Sequence, residues 1–181
     1  MAVIEAIATT YLELDAATVT FSSLGTYDHL QVRASLRGSS ATVTTHFHMR
    51  PNGDTTGLNF FDWMEGYGST DWSDGRFTSY PYQNLYEMPM GAHDASAYAT
   101  WVIDFPDYRS TTKTTTVNYI RGMQGITGAY GTPTGSSGPS QVMMGQGVYN
   151  SALALTSFEL LCSTGSFARG STFTVYGIQD S

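Results

Sequence analysis

Short stretches in which apolar and polar residues alternate recur along the chain, and this two-residue period restricts the fold more than any other feature. In DHLQVRASLRG, residues 28–38, every second residue from Leu30 to Leu36 is apolar. Successive side chains of a β-strand point to opposite faces, so such a stretch predicts a strand with one buried face. The other stretches that we predict as strands are ATVTFSSL, ATVTTHFHMR, SAYATWVIDF, STTKTTTVNYI, SALALTSFELLC and STFTVYGI.

The composition also favours strands over helices. Charged residues make up 13% of the chain, about half the usual share. The polar surface must therefore consist largely of Ser, Thr, Asn, Gln and Tyr, which suits strands and tight turns. Clusters of Gly, Ser and Pro separate the alternating stretches, and no stretch has a convincing helical period. We therefore predict an all-β chain, an antiparallel two-sheet β-sandwich of jelly-roll type.

A chain of this length predicts a single β-sandwich domain over residues 1–181. Residues 1–15 are interpreted as a strand or an extended arm, and a helical turn remains an alternative there. Residues 128–140 are rich in Gly, Ser and Pro and predict a flexible loop. The Thr-rich stretch STTKTTTVNYI predicts a solvated or edge strand.

Charge and cysteine content exclude several classes of partner and site. The formal net charge is −7 and the eight basic residues are scattered, so neither nucleic acid nor an anionic membrane surface is an expected partner. The single cysteine, Cys162, excludes an intrachain disulfide and a multi-cysteine zinc site. No apolar run is long enough to span a membrane, and the N-terminus lacks the basic segment of a signal peptide. We therefore expect synthesis in the cytoplasm.

The stretch HFHMR is the one candidate for a metal site. Side chains two apart on a strand point the same way, with their Cα atoms about 6.6 Å apart, so His46 and His48 could share a metal. The cupin pattern needs a glycine six residues before the first histidine, where this chain has Ser40. Arg50 falls on the same predicted face and would repel a metal. We therefore expect His46 and His48 on a face turned to solvent or to a neighbouring subunit, with a cupin-like metalloenzyme as the outside alternative.

Catalytic residues and cofactors are not predicted. The chain has no Gly-x-Ser-x-Gly sequence around a nucleophilic serine, and Cys162 continues the apolar register of Phe158 and Leu160. Acidic residues are frequent between positions 54 and 74, but acids in glycine-rich segments mostly serve turns and solvation. The chain is therefore expected not to be an enzyme.

Aromatic residues are concentrated between positions 60 and 86, where no clean alternation survives. We predict aromatic loops there, which form either the interface of a homo-oligomer or a surface on which sugar rings stack. These interface or ligand candidates are Trp63, Tyr67, Trp72, Phe77, Tyr80, Tyr82 and Tyr86.

Several motifs, in the same order along nearly the whole chain, resemble those of small tailed-bacteriophage virion proteins and tail-fibre modules. Those proteins have a Tyr-x-x-Leu strand, a Phe/Met-Arg-x-Asn-Gly-Asp turn and an Ile-x-Asp-Tyr strand, and they end with Gly-Ser-Thr-x-x-x-Tyr-Gly-Ile. The matching stretches here are LGTYDHLQVRASLRG, MRPNGDTTGLNF, WVIDFPDYRSTTKTTTVNY and GSTFTVYGI. The closing stretch is the most specific, whereas Phe105 and Pro106 are inserted relative to the pattern. The resemblance implies a β-sandwich that assembles on a virion, commonly as a trimer, and it brings no catalytic residues.

The residues of the resembling turn and strand agree with that expectation. In RPNGD, Asn52 and Gly53 are suited to positive φ and predict a turn. Pro106 cannot donate to a strand ladder and predicts the end of the strand before it.

The expected function is that of a non-enzymatic virion structural protein, most simply a capsid decoration or cement protein that bridges capsomers. A homotrimer, with the major capsid protein or other virion proteins as partners, is the expected assembly. The alternative within the virion is a tail-fibre or baseplate adhesin that binds host glycan through residues 60–86.

Overall fold

The computed structural model describes residues 3–42, 44–56, 59–67, 71–91, 97–123 and 141–180, and for Glu65, Tyr67 and residues 71–79 it describes the backbone alone. These residues form twelve β-strands and no helix. The strands are β1 (Val3–Tyr11), β2 (Thr18–Ser22), β3 (His29–Leu36), β4 (Thr44–Pro51), β5 (Asn59–Tyr67), β6 (Asp71–Tyr80), β7 (Gln83–Pro89), β8 (Ala99–Phe105), β9 (Thr115–Met123), β10 (Gln141–Tyr149), β11 (Ser157–Cys162) and β12 (Thr172–Gln179).

The strands form two antiparallel sheets. The large sheet has the order β1-β12-β3-β8-β9-β10-β5-β6, and the small sheet has the order β2-β11-β4-β7. The all-β sandwich predicted from the alternating stretches is therefore confirmed. Within the described residues, there is no helix of the length and apolarity needed to cross a membrane.

The order of the strands is that of a jelly roll with additions. An eight-stranded jelly roll, with strands lettered B to I, pairs them as B-I-D-G and C-H-E-F. The small sheet matches B-I-D-G strand for strand when β2 is taken as B and β11 as I. The large sheet contains C-H-E-F as β3, β5 and β6, with the meander β8-β9-β10 in place of H. The strands β12 and β1 extend it beyond C.

The inward faces of the two sheets form one apolar core. In β8, the residues alternate strictly between buried and less buried, because every second side chain points between the sheets. Large aromatic residues fill the centre, and Phe47 of β4 packs edge-on against Trp101 of β8 with ring centroids 5.1 Å apart. Burying side chains of this size supplies most of the stability of such a fold.

Several expectations about individual strands were wrong. The segment predicted as aromatic loops forms β5, β6 and β7, and β10 was not predicted at all. The Thr-rich strand β9 is not an edge strand, because it pairs with β8 on one side and β10 on the other. Its side chains alternate as expected for a half-buried central strand, with Val117 and Tyr119 buried.

Separate predictions were made for residues 1–15, a strand or extended arm, and for residues 128–140, a flexible loop. Residues 3–11 form a strand that pairs with β12 at the edge of the large sheet, with a register shift between Ala6 and Ala8. The predicted loop at residues 128–140 lies outside the described residues.

Candidate functional site

The outer face of the large sheet, turned away from the core, carries a row of exposed apolar side chains. Val102 of β8 lies opposite Ile120 of β9, which lies opposite Met144 of β10, which in turn lies opposite Met64 of β5. Their exposed fractions range from 36% for Val102 to 54% for Ile120. Soluble proteins seldom leave contiguous apolar side chains in water unless a partner or ligand covers them.

A row of polar side chains runs beside the apolar row. It consists of Asp104, Asn118, Gln146 and Asp62, which oppose one another on the same four strands. Each polar residue is two positions from its apolar neighbour on the same strand, and residues two apart share a face of the sheet. Two carboxylates therefore flank two amides in a line across the sheet.

All the residues of the two rows except Val102 line an open groove of about 760 Å³, which we call the outer groove. Val102 continues the apolar row just outside it. Its floor is the central part of the large sheet, from β8 to β5. A glycine, Gly145, lies in this floor, and a Cβ added there would be only 2.4 Å from the Tyr119 hydroxyl behind it. Glycine at this position lets the tyrosine ring lie against the back of the sheet.

Hydrogen bonds order the β3 side of the outer groove. The Gln31 Nε2 atom donates to Asp104 Oδ1 at 2.8 Å, and Arg33 Nε donates to Gln31 Oε1 at 2.8 Å. The Arg33 guanidinium also lies over the Tyr176 ring, 4.8 Å from its centroid. The cation nearest this side of the groove is therefore already engaged.

The aromatic candidates from the sequence lie mainly beside β7, and of those whose side chains are described Trp63 alone borders the outer groove. Trp63 and Tyr86 have ring centroids 5.3 Å apart, and Tyr80 and Tyr82 have centroids 5.6 Å apart. Phe61, which lies 5.6 Å from Tyr80 and 6.2 Å from Trp63, connects the two pairs. All four candidates are partly buried. The structure therefore brings them together as one cluster with Phe61.

The other three candidates can be placed by backbone alone. Tyr67 ends β5, and Trp72 and Phe77 lie in β6, where their backbones pair with Gly66 and Phe61. Their side chains lie outside the described part of the structure.

The backbone of β7 bulges within the aromatic cluster, and several side chains hold it. One extra residue of β7 lies between the positions that pair with His46 and His48, and Tyr86 has a φ of 73° there. The Asn84 Oδ1 atom accepts a hydrogen bond from the Tyr86 backbone N–H at 2.9 Å. From the large sheet, Trp101 Nε1 donates to the Leu85 carbonyl at 3.0 Å. The bulge is therefore fixed by both sheets.

The histidine pair is not the exposed face that the sequence suggested. His48 is only 4% exposed, because the Tyr82 ring is stacked on it with centroids 3.7 Å apart. Burial, with smaller contributions from His46 and Arg50, lowers the pKa of His48 to about 3. The prediction that both histidines face solvent or a neighbour was therefore wrong for His48. Among the described residues, no three His, Cys, Asp or Glu side chains are grouped so that they could hold a metal.

Cys162 is buried on the same face of β11 as Phe158 and Leu160, as the alternation in the sequence predicted. The side chain is 8% exposed, and its Sγ is 3.9 Å from the Met88 Sδ atom. Burial raises the pKa of the thiol to about 12, so the reactive thiolate is not populated near neutral pH. The residue is part of the core, as predicted.

The outer groove was missed by the sequence analysis because its residues are widely separated in the chain. A signal was present in QVMMGQGVY, where Val142, Met144 and Gln146 alternate with residues that face the core. Two of those inward positions are glycines, so the alternation was not recognised as that of a strand.

Comparisons with known proteins give distant structural similarities, of which two are described here. No family model matches the chain, and no similar sequence was found among curated proteins. The galectin LEC-6 of Caenorhabditis elegans matches over 95% of this chain and 96% of its own, with 10% identity and a TM-score of 0.34. SCLam, a non-specific endo-β-1,3(4)-glucanase of family GH16, matches over 88% of this chain and 62% of its own, with 13% identity and a TM-score of 0.24. Both scores are low, and nothing about the function of this chain follows from them.

Proposed function

We propose that this chain is a non-enzymatic structural protein of a tailed-bacteriophage virion, a capsid decoration or cement protein that stabilises the shell by bridging capsomers. It is made in the host cytoplasm and works as a homotrimer in contact with the major capsid protein or another virion protein. The observation that carries the proposal is the exposed edge strand β1.

Strand β1 has the properties of an assembly element. It is nine residues long and, among the described strands, pairs with β12 alone. Residues 3–6 are exposed on both faces, with Val3 at 51% and Ile4 at 59%. The one charged residue in the strand, Glu5, accepts a hydrogen bond from the Tyr27 hydroxyl at 2.8 Å.

Exposed apolar edge strands are uncommon in proteins that remain alone in solution. The free edge presents unpaired backbone N–H and C=O groups, and natural proteins usually protect it with charges, proline, a bulge or a covering segment. Val3–Tyr11 contains no lysine, arginine or proline, and its register shift lies between Ala6 and Ala8, after the exposed Val3 and Ile4. A partner strand placed there would satisfy the backbone groups and cover Val3 and Ile4.

Fold and sequence motifs support the same proposal. Jelly rolls whose sheets pair as B-I-D-G and C-H-E-F occur in viral capsid proteins as well as in lectins and cupins. The motifs that resemble phage virion proteins extend from β3 to β12 and include strands of both sheets.

A charged substitution in β1 tests the proposal. Ile4→Lys adds a charge to an exposed edge position, so we expect the fold to persist and assembly to be lost. Leu153→Lys is the matched control, because Leu153 is 62% exposed and lies outside the strands. Light scattering should give a trimer of the 19.6 kDa chain for the wild type and Leu153→Lys, and a monomer for Ile4→Lys.

The virion provides the second measurement. Virions of a phage that encodes Ile4→Lys should lack the protein in their shells and be less stable to heat, while adsorption to the host is unchanged. Wild-type virions whose shells do not contain the protein would overturn the proposal, as would a monomeric wild-type chain that binds no shell.

A tail-fibre or baseplate adhesin is the second candidate, and the aromatic cluster of Trp63, Tyr80, Tyr82 and Tyr86 favours it. Tyrosine and tryptophan rings with one exposed face are suited to stacking on sugar rings. This candidate predicts that Tyr80→Ala virions lose adsorption to the host without loss of shell stability.

A further inference from the structure

We propose that the outer groove binds a neutral oligosaccharide, held by the polar row of Asp104, Asn118, Gln146 and Asp62 and by the apolar side chains of Ile120, Met144 and Met64. This site is separate from β1, and of the aromatic cluster Trp63 alone borders it. It does not depend on the virion role proposed above.

The shape of the groove restricts its occupant. The two rows cross four neighbouring strands, a distance of about 14 Å at the usual strand spacing. A two-fold contact between copies of the chain would place this concave patch opposite itself and leave a gap in the middle. The occupant must therefore be a narrow or convex molecule and not the same face of a second copy.

The backbone of the groove disfavours an extended peptide. Strands β8, β9, β10 and β5 all have hydrogen-bonded neighbours on both sides. No free strand edge is available in the floor, so a peptide could not gain the backbone hydrogen bonds that drive strand addition. Its own N–H and C=O groups would depend on four side chains.

The polar row matches the hydroxyl groups of a sugar. Asn118 and Gln146 each offer a donor and an acceptor, whereas Asp62 and Asp104 offer acceptors. A sugar hydroxyl both donates and accepts, so it can use either kind of side chain. A purely apolar ligand such as a lipid chain would remove water from the Asn118 and Gln146 amides without replacing their hydrogen bonds.

The apolar row matches the remaining surface of a sugar. The C–H groups on one face of a pyranose ring form an apolar patch, and Ile120 and Met144 are each more than half exposed at the centre of the groove. Covering these side chains gains hydrophobic free energy in proportion to the area removed from water. The adjacent rows allow one ring to contact both kinds of surface.

Charge selects a neutral sugar over an acidic one. The described side chains that line the groove include two carboxylates and no cation. Sulfated or sialylated sugars would be repelled by Asp104, and the net charge of −7 adds to that repulsion.

The test uses the purified full-length protein on an array of neutral, sulfated and sialylated oligosaccharides, followed by calorimetry with the strongest neutral binder. We expect binding to neutral sugars only. Asn118→Ala and Gln146→Ala should each weaken it by about threefold to tenfold, the equivalent of one lost hydrogen bond. Both residues are exposed, so the unfolding midpoint should not change.

Asn150→Ala is the matched control, because it removes an exposed amide just after β10 and outside the groove. Its affinity should equal that of the wild type. Binding that survives Asn118→Ala and Gln146→Ala, binding to acidic sugars alone, binding to cationic peptides in place of sugars, or no sugar binding at all would each overturn the proposal. Because the measurement needs no virion, its result is independent of whether the chain decorates a capsid.

Discussion

The Tyr82 ring covers the His48 imidazole, with the two rings nearly parallel at 13° and their centroids 3.7 Å apart. Tyr82 lies in the turn before β7 and His48 in the middle of β4, so the contact depends on how these two segments meet. It converts a histidine on an apparently polar face into a buried one.

Stability should therefore depend on pH through His48. Burial lowers the pKa of His48 from 6.5 to about 3. Between these two values the imidazole is protonated in the unfolded chain but not in the folded chain. Stability from this group is complete above pH 6.5 and falls as the pH drops towards 3. The free energy of unfolding should decrease by about 2 kcal/mol between pH 7 and pH 5. Urea unfolding measures it, and His48→Phe, which keeps a ring beneath Tyr82, should lack this part of the decrease.

Removal of the Tyr82 ring should bring the pKa of His48 back towards that of a histidine in water. In Tyr82→Ala, water reaches the imidazole, the penalty on the charged form falls, and the pKa of His48 should rise towards 6.5. The chemical shifts of the imidazole C–H protons between pH 3 and 8 report it. An unchanged pKa would mean that other groups, and not Tyr82, exclude water from His48.

Gly145 should be intolerant of a side chain. A Cβ there would lie 2.4 Å from the Tyr119 hydroxyl and 2.9 Å from the Asp62 carbonyl oxygen. Gly145→Ala is expected to destabilise the fold by about 1–3 kcal/mol, the usual cost of overpacking. Gly122→Ala is the control in the neighbouring strand, because its Cβ would meet only Thr100 Oγ1, at 3.4 Å. Denaturant unfolding of both variants decides the matter, and equal stabilities would contradict the steric explanation.

Asn52 should contribute through its side chain as well as its backbone. The residue has a φ of 50°, as the RPNGD turn predicted, and its amide donates to the Ala154 carbonyl at 3.0 Å. Its Oδ1 accepts from the Thr156 N–H at 2.9 Å. Asn52→Gly keeps the backbone conformation but loses these bonds, at a cost of about 1–2 kcal/mol.

Asn52→Ala separates the two contributions. Alanine lacks the hydrogen bonds and also disfavours positive φ, so it should cost about 1–2 kcal/mol more than glycine. Thermal or denaturant unfolding of the two variants gives the difference. Equal stabilities would show that the backbone conformation costs nothing here.

Cys162 should be unreactive in the folded protein. Its pKa of about 12 and its burial against Met88 keep the thiol protonated and out of contact with reagents. Ellman's reagent at pH 8 should label the chain slowly in buffer and at once in denaturant. Rapid labelling of the native protein would show that β11 opens locally.

The sequence alone was sufficient for the strands that have one buried and one polar face. In β3, β8 and β12, alternation follows directly from the geometry of a half-buried strand, so the local pattern identified them. The turn at Asn52 and the core position of Cys162 were predicted for the same reason, because each depends on properties of neighbouring residues in the chain.

Strand β10 and the outer groove were revealed only by the tertiary structure, because both depend on contacts between strands that are distant in the sequence. Strand β10 escaped prediction because Gly145 and Gly147 occupy inward positions, where the Tyr119 and Gln83 side chains fill the space. The outer groove joins Asp62, Asp104, Asn118 and Gln146 only because β5, β8, β9 and β10 pair in one particular register. The alternation of apolar and polar residues predicts which face of a strand is buried, but it does not predict which strand pairs with it. That pairing is set by the packing of the whole sandwich.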